Sequence, residues 1–142
     1  MAIDIETKIE TAWITLLQAN TYIITNAIPV RSFRDNSNNM TSYIIEVHAN
    51  LVRQEFPKST LWESVVDIMG VTYQADDKNQ GIVEALYQEC LDVMKNSTMS
   101  ELTTAGDITF NGITMLDPGD QLFDENGRFQ NYMLNVQCHV QE

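Results

Sequence analysis

The chain has 142 residues, 44% of them hydrophobic and 20% charged, which suits one globular domain with a core of its own. Eight basic residues stand against twenty acidic ones, a net charge of −12, which argues against a nucleic-acid binder, because such proteins draw affinity from Lys and Arg on phosphates. No apolar run approaches the roughly 20 residues that span a bilayer, and no basic-plus-apolar leader opens the chain, so the expected compartment is the cytoplasm.

Residues 3–20 repeat apolar side chains at helical spacing: Ile5, Ile9, Ala12, Trp13, Leu16 and Leu17. Asp4 and Glu6 sit at the start, where the helix dipole favours negative charge. Residues 22–30 are short, β-branched and interrupted by Pro29, which fits either an edge strand or an extended connection. Residues 31–41 are rich in Asn, Ser and Asp without periodicity, and read as a flexible polar loop. From 42 to 53 alternation predicts a strand, with Tyr43, Ile45, Val47, Ala49 and Leu51 on one face and Glu46, His48 and Asn50 on the other. After the turn at Phe56-Pro57-Lys58, residues 61–74 read as its antiparallel partner, with Gly70 as a candidate bulge.

Asp76-Asp77-Lys78-Asn79 is a cap-rich turn. Residues 80–95 form the clearest helix, with Ile82, Val83, Leu86, Tyr87, Cys90, Leu91 and Met94 in one stripe. Residues 96–100 break that pattern. Residues 107–116 return to β character with a kink at Asn111-Gly112, turns follow at 117–120 and 126–127, and 129–140 close the chain as a strand. Two amphipathic helices and four strands in the order α-β-β-α-β-β predict a single α+β domain over 1–142. In it a mainly antiparallel sheet packs in two layers against the helices.

Few residues are candidates for chemistry. His48 and His139 fall on the polar faces of the first long strand and the last one; were those strands neighbours, the rings would make half a metal site, and otherwise they face solvent. Asp117, Asp120, Asp124 and Glu125 lack the ligand spacing of a calcium loop and read as a solvated turn. Asp76 and Asp77 read as caps rather than a carboxylate pair, and Trp13 and Trp62 as core or interface anchors. Cys90 and Cys138 lie on apolar faces; buried thiols are favoured over a disulfide. No phosphate loop or nucleophile elbow occurs. The expectation is a non-enzymatic protein with no catalytic, cofactor or metal residues. Arg31 and Arg34 carry positive charge on the polar loop of an acidic chain. Either they pair with the carboxylates of a neighbouring copy, fixing register at a subunit interface, or they belong to a plain connection.

The opening helix at 3–20, the long strand at 42–53 with its partner at 61–74, the helix at 80–95 and the closing strands up to Val140 together resemble the tail terminator and neck proteins of tailed bacteriophages. The resemblance covers nearly the whole chain as architecture rather than as residue motifs. It implies a structural virion protein whose copies close into a ring, usually of six, assembled in the host cytoplasm. The implied ring sits between the tail tube protein and the head-side connector protein and lets DNA pass without binding it specifically. Alternatives are another morphogenesis part, such as a head-completion or tail-tube protein, or a small cytoplasmic enzyme or ligand-binding domain.

Overall fold

The computed structural model describes residues 2–33, 43–73, 81–117, 121–123 and 129–142. Their elements run α1 (Ala2–Gln18), α2 (Thr21–Thr25), β1 (Val30–Ser32), β2 (Tyr43–Gln54), β3 (Leu61–Tyr73), α3 (Gly81–Asn96), α4 (Met99–Gly106), β4 (Thr109–Asp117), β5 (Gln121–Phe123) and β6 (Phe129–Gln141). The fold is mixed α+β. Its six strands make one sheet in the order β1-β2-β3-β6-β4, with β5 also on β6. Every pairing is antiparallel except β1 with β2. No helix among the described residues is long and apolar enough to cross a membrane.

Alternation along the long strands decides which sheet face joins the core. Ile45, Val47 and Ala49 of β2, Val66 and Ile68 of β3, and Leu134, Val136, Cys138 and Val140 of β6 are all buried. They share one core with Ile5, Ile9, Ala12, Trp13 and Leu17 of α1, with Leu86, Cys90, Leu91 and Met94 of α3, and with Leu102 of α4. Each large apolar side chain so buried contributes about 1.5–3 kcal/mol. Trp13 also ties α1 to the sheet, donating its indole N–H to Cys138 Sγ at 3.4 Å. Both cysteines are buried thiols outside any disulfide.

The order α-β-β-α-β-β undercounts the elements: there are four helices and six strands among the described residues. The segment at 22–30 begins as helix α2. Asn20 caps it by accepting from Ile23 N–H, and burying Ile23 outweighs the β-branched composition. The polar loop starts later than residue 31, since Arg31 and Ser32 lie in β1, held by Glu46 and Val47 of the neighbouring strand. Residues 34–42, with Arg34, lie outside the described residues, as do 74–80, 118–120 and 124–128. That excludes Asp76, Asp77, Asp120, Asp124, Glu125 and the turn at 126–127.

The break expected at 96–100 is only Ser97 and Thr98, since Asn96 ends α3 and α4 begins at Met99. Thr98 Oγ1 accepts from Glu101 N–H at 3.1 Å and Thr98 N–H donates to Glu101 Oε1 at 3.2 Å, a reciprocal capping box. Gly70 pairs regularly with Ile45 and Tyr132 and makes no bulge; the irregularity in β2–β3 falls between Asn50 and Arg53. The kink expected at Asn111-Gly112 is a register shift between Phe110 and Gly112, and a second shift lies between Met115 and Asp117.

Candidate functional site

The sheet face away from the core carries the described polar side chains in rungs set by strand register. Arg31, Glu46 and Met69 form one rung, and His48, Asp67 and Asn135 the next. Asn50, Val65, Gln137 and Thr114 follow, and then Arg53, Glu63, His139 and Gly112. This is the expected pattern for an antiparallel sheet with one face on the core and one in water.

Most of these groups are spent on each other. Arg31 Nη2 donates to Glu46 Oε1 at 3.3 Å, both side chains about one-fifth exposed. Asn50 Nδ2 donates to Asp67 Oδ2. Burial raises the Asp67 carboxyl above its ordinary range, opposed by the charge of His48 and the Asn50 hydrogen bond. The Phe33 ring stacks on His48 with centroids 4.3 Å apart and planes 18° apart. Arg53 Nε donates to Glu63, and His139 Nδ1 meets Glu55 Oε1 at 3.1 Å.

Glu55, Glu63 and His139 are the one group among the described residues whose ligand atoms could hold a metal ion, all within 4.8 Å of one another. Arg53 already supplies a cation to Glu63, and His139 lies against Glu55, so the trio belongs to a polar network at the base of the β2–β3 turn. His48 and His139 do not come together, because β3 lies between their strands and they sit on different rungs. Cys138 is a poor nucleophile: burial pushes its thiol up to about 12, against a smaller opposing effect of the Trp13 hydrogen bond. Arg31 finds its partner within the chain, Glu46.

The sheet edges differ from the face. On one side β1 covers β2 only from Ile45 to Val47. Beyond it, buried Glu10 reaches across from α1, accepting from Ala49 N–H at 2.9 Å and Ser32 Oγ at 2.8 Å. A carboxylate thus takes the place of the next strand. On the other side β4 is the outer strand, broken by its two register shifts. Of the four large apolar side chains most exposed among the described residues, Phe33 and Leu116 sit at these two edges and Ile24 and Phe56 lie elsewhere. Ile24 is on α2, Phe33 just past β1, Phe56 at the β2–β3 turn and Leu116 in the second irregularity of β4.

Sequence reasoning passed over these four. Two had a signal: Phe33 is the one aromatic in a polar run, and Leu116 follows Met115 where alternation calls for a polar residue. Two depressions of the described surface are lined differently. One, beside the start of α1, holds Asp4, Lys8, Asp107 and Glu142; the other, on the open face, holds Arg53, Glu63 and Gln137. No protein-family model matches the chain, and comparison with curated proteins gives no match.

Proposed function

We propose that this chain is a structural virion subunit of the tail terminator or neck type, whose copies close into a ring between the tail tube and the head-side connector. One observation carries the reading. Arg31 pairs with Glu46 and Arg53 with Glu63 across the open face, while Ile24, Phe33, Phe56 and Leu116 stand exposed. Phe33 and Leu116, on opposite edges of the sheet, suit a surface that meets protein partners on more than one side. A ring subunit needs two different patches, one for each neighbour, and the tube and connector proteins require further contacts above and below. The succession of a long helix, a long β2–β3 hairpin, the α3 helix and closing strands accords with the architectural resemblance that suggested the family. The net charge of −12 would keep a lumen from adhering to passing DNA.

The test is the mass of the purified chain by light scattering, with negative-stain images of the same sample. Closed rings of about six 16.2 kDa chains are expected. A mass that stays at one chain up to the solubility limit, with no ring on purified tail tubes, would refute the reading.

A further inference from the structure

We infer that copies of this chain join head to tail across the two opposite edges of the sheet, Phe33 of one copy packing against Leu116 of the next. The inference rests on the ring reading and names the contact that closes it. Phe33 N–H donates to Val47 O at 2.9 Å, which fixes Phe33 beside Val47 on the β1 edge. Val47 pairs with Ile68 and Ile68 with Leu134. Leu116 lies on the β4 edge, between Met115 opposite Val136 and Asp117 opposite Asn135. The two residues therefore sit at nearly the same level of the sheet, on opposite sides, about four strand spacings or ~19 Å apart. Both are half exposed. One patch on each side, at one level, is the arrangement a heterologous contact needs if repeated copies are to follow one another around an axis. Stacking on His48 holds the Phe33 ring in place, so docking would order little that is free.

Charge sets the same polarity. Arg53 lies on β2, level with Glu63, His139 and Gly112, and is 74% exposed although bonded to Glu63. Asp107, which leads into β4, is exposed and is held in the left-handed region at φ 55° as the cap of α4. Arg53 and Asp107 belong to the same end of the sheet, on opposite edges. A neighbour placed to bring Leu116 onto Phe33 brings its Asp107 end toward Arg53. That pairing would steer copies whose overall charge repels.

The occupant of each edge is thus a second copy of this chain, and cross-linking tests it. Phe33→Cys and Leu116→Cys are made singly and together, and treated with a short bis-maleimide. Buried Cys90 and Cys138 should stay silent. The double variant should give a ladder of covalent multimers that ends at the ring number. Each single variant alone should give no dimer, and an equimolar mixture of the two should give dimers and nothing larger. Dimers from one single variant alone would mean a two-fold contact and overturn the inference. A double variant that forms rings by light scattering but gives no ladder would overturn the edge contact and leave the ring standing; an unsubstituted chain that never associates would remove both. As a second measurement, Arg53→Asp and Asp107→Arg should each slow association at low salt and together restore it, the effect fading at high salt as expected of steering charges that do not touch. No recovery in the double variant counts against the proposed polarity.

Discussion

Gly106 closes α4 where that helix presses on α1. A Cβ added there would lie 2.8 Å from Ala12 Cβ, 2.8 Å from the Lys8 carbonyl oxygen and 3.4 Å from Phe110 Cε1. Carbon atoms in contact prefer about 3.5–4.0 Å, and neither of the two nearest atoms can rotate away, since one is a helix methyl and the other is backbone. The helices must part, at a cost of roughly 1–3 kcal/mol for overpacking. Helix propensity works the other way, favouring Ala over Gly by at most about 1 kcal/mol, and by less in a last turn. Gly106→Ala should therefore destabilise the fold by roughly 1–2 kcal/mol, a fall in Tm of about 2–8 °C for a chain of this size. Urea unfolding followed by circular dichroism measures it, with an unchanged m-value showing that the two-state comparison holds. A companion change locates the clash: in an Ala12→Gly background the cost of Gly106→Ala should shrink by about 0.5 kcal/mol or more. A Gly106→Ala protein as stable as the parent would refute the close packing of α1 on α4.

Three other outcomes follow from the same structure. Glu10→Gln leaves one acceptor oxygen where Ala49 N–H and Ser32 Oγ now share a carboxylate, and should cost about 1.5–3 kcal/mol in urea unfolding. Thr98→Ala removes the side-chain half of the α4 capping box and should cost about 1 kcal/mol, with hydrogen exchange of the Glu101 amide accelerated most. The raised Asp67 carboxyl means that the folded state holds this proton more tightly than the unfolded one. Its contribution to stability is full below about pH 4 and is lost as pH rises through the folded value. Asp67→Asn should flatten that decline in pH-dependent urea unfolding, and identical slopes for the two proteins would count against the burial of Asp67.

The parts of the fold legible in the sequence are those where one local pattern sets both conformation and burial. The α1 stripe of Ile5, Ile9, Ala12, Trp13 and Leu17 and the alternation of Ile45, Val47 and Ala49 are of that kind, and all eight side chains are buried. The missed parts depend on a distant partner or on a cap. Val30–Ser32 is a strand because β2 lies beside it, and residues 21–25 are helical because Asn20 caps them and Ile23 is buried. Helix α4 was written in the chain as Thr98-Met-Ser-Glu101 before Leu102, a capping-box signature, but it is only eight residues long and starts two residues after α3, too short for its own periodicity to stand out. The open-face rungs depend on β3 lying between β2 and β6, an order that no local pattern states. The short apolar margins at Phe33 and Leu116 were single residues, below the reach of any periodicity.

The edges explain how such a subunit could associate without running on into fibres. A long, flat, unpaired strand invites another strand by main-chain pairing. Here β1 is three residues long, the next donor beyond it is taken by Glu10, and β4 is interrupted at two points. Each device removes main-chain groups from the register that an added strand would need. What remains at the margins among the described residues is side chain: half-exposed Phe33 and Leu116, with Arg53 and Asp107 nearer one end. Contacts through side chains have a fixed angle and a single register, whereas pairing along a smooth edge tolerates slips of two residues. A fixed angle is the condition for a ring to close after a set number of copies. In the proposed ring, the same acidic charge that repels chains in solution would favour the orientation that brings a cation toward a carboxylate.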